Sequence, residues 1–207
     1  MNITDSYAAL PKLRSLVLGS ASPRRYDLLL QLIPDLQIQI QPADIDETLL
    51  KQEGGDARVM RLAEAKAVAV VADLPQEQKN ALVLTADTEV VRAGQPLGKP
   101  ESREHAVELL LQLSGQSHQV KTALVLRQGE SCLKRLVTTE VTFRNLTLEE
   151  VRAYVATGEP DDKAGGYGIQ GRGVALVAGI SGSYTNVVGL PLEALAEMLP
   201  QLGYRIF

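Results

Sequence analysis

Two adjacent arginines lie where a predicted helix begins, and their natural partner there is an anion. Ser22 suits the N-cap of that helix, and Pro23 suits its first position, where a missing N–H costs nothing. Arg24 and Arg25 then fall in the first turn, where the helix dipole disfavours each cation by about 0.3–1 kcal/mol. A bound phosphate would reverse this penalty and would also accept hydrogen bonds from Ser20 and the unpaired backbone N–H groups. The alternative is a capped helix with two solvated arginines.

Asp87 and Lys99 form a second candidate pair. Asp87 follows a predicted buried strand, residues 81–85, and ligands of open α/β sheets commonly bind where strands end. A predicted hairpin turn at residues 93–94 is about equally far from Asp87 and Lys99, so the two side chains should face one site. The alternative is a structural ion pair. Glu89 can share a face with Asp87, but exposed strand carboxylates are common, and we leave it outside the predicted site.

Lys66 lies inside the apolar stripe of a helix predicted over residues 56–73. At about 100° per residue, it falls between Leu62 and Val70 rather than opposite them. An isolated buried ammonium is costly, so Lys66 must either extend to the edge of this face or meet an anion. The sequence leaves both outcomes open.

Carboxylates cluster in two predicted loops. Asp44, Asp46 and Glu47 could supply oxygen ligands for Mg²⁺ or Mn²⁺, which usually bind through one or two carboxylates plus substrate phosphates. A solvated turn is the alternative. The same alternatives apply to residues 161–162, although the adjacent Lys163 and glycines favour a loop that approaches a ligand closely.

The elements that must position these residues mix strands and helices along the whole chain. Apolar periodicity predicts further strands over residues 16–18, 36–40, 119–126, 133–143 and 174–178, and further helices over residues 26–32, 101–113, 148–156 and 191–199. Residues 159–166 are the clearest loop. This order predicts an α/β or α+β fold with a mixed sheet.

The composition limits the class of protein. A chain of 207 residues with 45% hydrophobic and 22% charged residues is typical of a globular domain, and one domain is expected. A single cysteine, Cys132, and two histidines exclude an intrachain disulfide and a cysteine- or histidine-rich metal site. The formal net charge of −4 argues against stable nucleic-acid binding. Because the sequence has neither a long apolar run nor a signal peptide, we expect a cytoplasmic protein without membrane binding.

Seven segments, in order and spacing, resemble the Maf family of nucleoside triphosphate pyrophosphatases over nearly the whole chain, from about residue 16 to residue 199. They are Ser20–Arg25 (SASPRR), Asp46–Glu47, Ala65–Ala67 (AKA), Thr85–Thr88 (TADT), Gly98–Pro100 (GKP), Asp162–Gly171 (DKAGGYGIQG) and Asn186–Leu192 (NVVGLPL). No single segment is decisive, but seven in register are highly specific.

The resemblance implies a fold and a reaction. Family members adopt a two-lobed α/β fold with a mixed central sheet and a deep cleft, similar to that of the inosine triphosphate pyrophosphatases, and are often homodimers. They hydrolyse nucleoside triphosphates to the monophosphate and pyrophosphate with a divalent cation, Mg²⁺ or Mn²⁺. On this basis residues 15–207 are expected to form one Maf-like domain, preceded by an extension over residues 1–14.

Taken with the residue-level interpretation, the resemblance also implies roles. Asp87 is the expected catalytic residue, activating water directly or as a metal ligand, and Glu47 is expected to help hold the cation. The residues expected to bind the triphosphate and to neutralise the leaving pyrophosphate are Ser20, Arg24, Arg25, Lys66 and Lys99.

The segment over residues 162–171 resembles the branch of the family that acts on dTTP and UTP, rather than the branch that acts on 7-methyl-GTP. This makes Gln170 the expected contributor to base selection. The chain departs from the commonest family pattern at Glu89, which is often aliphatic, and in its N-terminal extension.

Two other functions compete with hydrolysis. Maf proteins have been linked to inhibition of septum formation, so a non-catalytic regulator that binds a nucleotide or a division partner is one alternative. A nucleotidyltransferase with a Ser/Arg phosphate loop is another. The presence of Asp87 and Lys99 favours an enzyme, because a pure binder needs no base beside the phosphates.

Overall fold

The computed structural model describes residues 7–51 and 53–207. Its strands are β1 (Ser15–Leu18), β2 (Gln37–Ile40), β3 (Val83–Arg92), β4 (Gln95–Pro96), β5 (Ser117–Gln128), β6 (Ser131–Phe143) and β7 (Val177–Ser181). Its α-helices are α1 (Pro23–Leu32), α2 (Gly55–Asp73), α3 (Arg103–Leu113), α4 (Leu148–Val155), α5 (Tyr184–Val188) and α6 (Leu192–Met198).

These strands form one mixed sheet in the order β2-β1-β3-β5-β6-β7, with β4 paired to the far end of β3. Strand β1 lies parallel to β2 and β3, and the other pairs are antiparallel. The predicted α/β architecture with a mixed sheet and flanking helices is confirmed.

Two hydrophobic cores divide the molecule into lobes, and the long strands β5 and β6 reach both. Leu124 on β5 lies in a core built with α1, β1 and α6, whereas Val120 on the same strand lies in a core built with α3 and α4. On β6, Val137 packs against the first core and Phe143 lies in the second. The strands therefore join the lobes, and a cleft lies between the two cores.

Strand β3 differs from its prediction, and the difference shapes the cleft. It is one ten-residue strand, so Asp87 lies in its middle and not just beyond its end. On one side β3 pairs with β5 from Val83 to Val91, but its pairing with β1 stops at Leu84. Among the described residues, the edge of β3 beyond Leu84 is next paired at Val91, by β4. The open edge between these points faces the cleft.

The other boundaries mostly agree with the predictions. The strand predicted over residues 174–178 is wrong in its first half, because residues 172–176 form a 3₁₀ helix and β7 begins at Val177. The short helix α5 was not predicted; at five residues it is too short to show an apolar period.

The described part of the N-terminal segment contacts the end of the chain. Lys12 and Arg205 form a parallel bridge, and Leu13 is buried in the first core. The Tyr7 hydroxyl accepts a hydrogen bond from the Ile206 N–H. Within the described ranges, no helix is long and apolar enough to cross a membrane.

Candidate active site

A cleft of about 860 Å³ lies between the lobes, and every residue predicted for the site lines it. These residues are Ser20, Arg24, Arg25, Glu47, Lys66, Asp87, Lys99 and Gln170. They come from the start of α1, the loop after β2, α2, β3, the segment after β4 and the loop over residues 162–171, which we call the glycine-rich loop. The structure therefore brings together residues that are up to 150 positions apart in the sequence.

Lys66 meets two carboxylates in the cleft. Its Nζ donates to Asp87 Oδ1 at 2.6 Å and lies 2.7 Å from Glu47 Oε1. Burial raises the pKa of Glu47, but the bond to Lys66 and the charges of Lys99 and Arg58 outweigh it and leave that pKa below its ordinary value. Of the two outcomes the sequence left open for Lys66, the anion is the one observed, and the anion belongs to the protein.

Strand β3 positions Asp87 by its alternation of faces. Thr85, Asp87 and Glu89 point to the same face, and each contacts α2. Thr85 Oγ1 donates to the Ala63 carbonyl, and Glu89 accepts from Arg58. Helix α2 therefore fixes the carboxylate-bearing face of β3 at three successive points.

Arg25 is half-buried and forms no ion pair with a carboxylate of the described residues. Its Nη1 donates to Ser20 Oγ at 3.0 Å, its Nη2 to Thr88 Oγ1 at 3.1 Å and its Nε to the Gly189 carbonyl at 2.9 Å. Burial lowers the pKa of Arg25, because desolvation disfavours the cation. Neutral oxygens orient this guanidinium, and the nearby charges of Asp87 and Glu47 offset only part of its desolvation, so a further anion in the cleft would stabilise the cation.

Arg24 and Lys99 differ from Arg25 in burial and contacts. Arg24 Nη1 donates to Asp162 Oδ2 at 3.4 Å, which links the start of α1 to the glycine-rich loop. Lys99 is exposed and makes no ion pair with any described carboxylate. The Ser22 side chain does not cap α1, although Ser22 occupies the predicted N-cap position; its N–H instead donates to Ser20 Oγ.

Glu159 organises the glycine-rich loop, and the sequence analysis assigned it no role. Its carboxylate accepts from the backbone N–H groups of Arg172 and Gly173 and from the Tyr154 hydroxyl. A Cβ at Gly171 would lie 2.5 Å from this carboxylate, so any larger residue here would displace the Glu159 carboxylate from its present position. Gln170 lies on this loop, is exposed and lines the cleft.

Glu89 is the second residue missed from the sequence. It is 4% exposed, lines the cleft and accepts at 2.8 Å from Arg58 Nε and at 3.1 Å from the Gly98 N–H. Glu89 is therefore not the exposed strand carboxylate that the sequence favoured, and it lines the same cleft as the predicted site residues. Strand alternation with Asp87 was the signal that could have placed it.

The carboxylates allow one kind of metal binding. Glu47 and Asp87 converge on the Lys66 ammonium, and no group of three acidic, histidine or cysteine side chains that could hold a metal occurs among residues 7–51 and 53–207. Mg²⁺ usually takes one or two carboxylates plus substrate phosphates. The donor set fits a cation that binds together with a phosphate ligand, and it does not fit an all-protein cage.

The fold and the cleft define a class of two-lobed, mixed α/β proteins in which basic side chains line a cleft between the lobes. A solved HAM1 protein from Coxiella burnetii has a similar fold, with a TM-score of 0.52 at 17% identity, over 91% of this chain and 100% of that one. Residues 15–202 match the family described as Maf-like protein. The chain belongs to this Maf-like family.

Close relatives carry a specific name. A "dTTP/UTP pyrophosphatase" from Moorella thermoacetica is 50% identical over 194 residues, which cover 93% of this chain and 97% of the relative. Another from Colwellia psychrerythraea is 47% identical over 192 residues, which cover 92% of this chain and 90% of the relative. A third, from Symbiobacterium thermophilum, is 46% identical over 195 residues, covering 94% and 97%.

Proposed function

We propose that this protein is a nucleoside triphosphate pyrophosphatase that hydrolyses dTTP and UTP to the monophosphate and pyrophosphate. The observation that carries the proposal is the juxtaposition, in one cleft, of the Asp87–Lys66–Glu47 cluster with Arg25, a guanidinium held only by neutral oxygens of the described residues. A carboxylate beside cations suits hydrolysis of a phosphoanhydride, whereas a pure nucleotide binder gains nothing from it. The names of the relatives support the same reaction.

In this proposal water attacks the α-phosphorus. Asp87 orients the water and takes its proton, a bond forms between the water oxygen and the α-phosphorus, and the bond from that phosphorus to the bridging oxygen breaks. Pyrophosphate leaves with the bonding electrons. Arg25, Arg24 and Lys99 neutralise the negative charge that accumulates on it, and Ser20 orients Arg25.

Glu47 and Asp87 are the residues that would hold a divalent cation, Mg²⁺ or Mn²⁺, together with oxygens of the substrate. Such a cation supplies charge neutralisation at the phosphates and lowers the pKa of a bound water. The Lys66 ammonium lies between the two carboxylates and pairs with both, so a metal cation that bound both would compete with it.

The choice of base is assigned to Gln170 on the glycine-rich loop. Its amide offers both a donor and an acceptor, which match the alternating carbonyl and N–H edge of uracil and thymine. A wrong base would leave these polar groups unpaired, and that penalty supports discrimination.

The setting of the enzyme is proposed from the family resemblance. We propose a cytoplasmic homodimer in which residues 15–207 form the catalytic domain and residues 1–14 precede it. Light scattering on the purified protein measures the oligomeric state, and a mass of one chain would contradict the dimer.

One assay tests the function against its alternatives. The protein is incubated with dTTP, UTP, CTP, ATP and GTP, with Mg²⁺ or Mn²⁺, in 18O-labelled water, and the products are identified. We expect pyrophosphate and a monophosphate that carries the label. Label in pyrophosphate would place the attack at the β-phosphorus, incorporation of the nucleotide into a larger product would indicate a transferase, and nucleotide binding without any product would indicate a regulator.

A further inference from the structure

Arg58, on the first turns of α2, stands at the cleft wall with hydrogen-bonding capacity that the protein does not use. Its Nε donates to Glu89 Oε2, and this is the one hydrogen bond that its guanidinium makes to the described residues. Its Nη1 is buried and has no acceptor in the described part of the chain. A buried guanidinium with free N–H groups carries a desolvation penalty that an acceptor would remove.

The position of Arg58 indicates which acceptor. Its side chain is 15% exposed and lines the same cleft as Lys66 and Lys99. Its charge reaches the centre of the site, because it contributes to the lowered pKa of Glu47. An anion that occupied the cleft beside Glu47 would therefore lie within the field of Arg58.

Glu89 fixes Arg58 in this place. One carboxylate oxygen accepts from Arg58 and the other from the Gly98 N–H, so Glu89 ties α2 to the segment that carries Lys99. The Gly98 carbonyl in turn accepts from the Gly165 N–H of the glycine-rich loop at 2.7 Å. This carboxylate is almost wholly buried, which makes the tie rigid.

We propose that Arg58 is a further phosphate-binding residue of the cleft, and that Glu89 is its positioning residue, holding Nε so that Nη2, which is not buried, donates to an oxygen of the triphosphate. This inference rests on the proposed function only in that the cleft binds a triphosphate. It adds a second cation on α2, besides Lys66, to those contributed by α1 and by the segment after β4.

The test uses inorganic tripolyphosphate, which has no base, and measures its binding by calorimetry in EDTA. Two variants differ only at Arg58: Glu89→Gln, and the double variant Arg58→Met/Glu89→Gln. In both, the amide at position 89 is neutral and can still accept from the Gly98 N–H, so no buried carboxylate is left unpaired. We expect the double variant to bind at least about 10-fold more weakly than the wild type, the effect of one charge-assisted hydrogen bond. The single amide oxygen of Glu89→Gln cannot accept from both the Gly98 N–H and Arg58 Nε, so this variant keeps the Arg58 charge but loses its positioning. We expect it to bind more weakly than the wild type, although it removes a negative charge from the cleft.

Arg61→Met is the matched control. Arg61 lies one turn further along α2 and pairs with Glu53, and it does not line the cleft. This variant measures what the loss of a positive charge on this helix does to tripolyphosphate binding by itself. We expect a change of less than about 3-fold, because Arg61 lies outside the cleft and its charge is already paired with Glu53.

The inference is overturned if the double variant binds as tightly as the wild type, or if Arg61→Met weakens binding equally. Glu89→Gln that binds as tightly as the wild type would overturn the positioning role of Glu89. If the double variant does not fold, Arg58→Lys decides: it keeps the charge and a partner for Glu89 but loses the forked donors, and unchanged binding would overturn the inference. Wild-type protein that fails to bind tripolyphosphate would overturn it as well. Hydrolysis is assayed separately, so a protein that binds through Arg58 but cleaves no nucleotide would refute only the proposed function.

Discussion

The Lys66 ammonium lies 2.6 Å from the Asp87 carboxylate, and this ion pair connects α2 to the middle of β3 inside the cleft. Both side chains are largely buried, so the pair is poorly screened by solvent. It orients a carboxylate at the point where the proposed reaction needs a base. The pair also keeps Lys66 beside the phosphates that the neighbouring arginines would bind.

Replacement of Asp87 by asparagine should reduce pyrophosphohydrolase turnover by at least about 10²-fold, because the amide keeps the volume but loses the base and the anionic ligand. Turnover of dTTP and far-ultraviolet circular dichroism are the measurements. Asp56→Asn is the matched control, since Asp56 pairs with Lys121 away from the cleft. Near-wild-type turnover in folded Asp87→Asn protein would contradict the catalytic assignment.

Replacement of the two arginines of α1 should have different effects on activity and on the free energy of unfolding. Arg25→Met should lose activity and also roughly 1–3 kcal/mol of unfolding free energy, because three hydrogen bonds to buried partners disappear. Arg24→Ala should weaken nucleotide binding but change the stability of the ligand-free protein by less than about 1 kcal/mol, since its ion pair with Asp162 is exposed. Urea unfolding without nucleotide measures both. Equal losses of stability would show that Arg24 is structural.

Lys99→Ala should raise the KM for the triphosphate and leave the Tm of the ligand-free protein nearly unchanged. The side chain is exposed and makes no ion pair within the described ranges, so its removal takes away attraction for phosphate and little else. Thermal melts with and without dTTP give the comparison. A large loss of Tm without nucleotide would assign Lys99 a structural role.

Gln170→Ala should flatten the preference for dTTP and UTP over ATP and GTP more than it weakens phosphate binding. The reason is that the amide pairs with the base, whereas the phosphates are bound elsewhere in the cleft. The ratio of kcat/KM values across the nucleotides is the readout, with Gln119→Ala on exposed β5 surface as the control. An equal loss on all nucleotides would mean that Gln170 only supports the loop.

Stability should fall in mild acid because of His118. Burial, with a smaller effect of Arg92, lowers its pKa to about 4, below the ordinary 6.5. Between these values the unfolded chain binds the proton and the native state does not, so the contribution is complete above about pH 6.5 and is lost towards pH 4. From pH 7 to pH 5 the loss is roughly 2 kcal/mol in urea unfolding.

The variant His118→Gln should remove this part of the pH dependence, because the amide can still bond to the Tyr167 hydroxyl, which lies 2.8 Å from His118 Nε2, but does not titrate. The variant of the other histidine, His105→Gln, should retain it. A pH dependence unchanged in His118→Gln would assign the acid sensitivity to the carboxylates.

Local sequence features determined the elements and the identity of the predicted site residues. Proline at the first helical position fixed the start of α1, and alternation identified β5 and β6, because both signals arise from neighbours along the chain. The placement of Lys66 in an apolar helical stripe already required an edge or an anion. Every predicted site residue lines the cleft, although their roles remain predictions.

Only the tertiary structure decided how these residues are paired. Periodicity cannot show that β3 continues past Asp87, since that continuation depends on pairing with β5, about forty residues later. Nor can it show that Lys66 meets Asp87 and Glu47, that Glu89 is buried against Arg58, or that neutral oxygens hold Arg25. A side chain's chemical type is local, but its partner, burial and electrostatic field depend on segments that come together only when the whole chain folds.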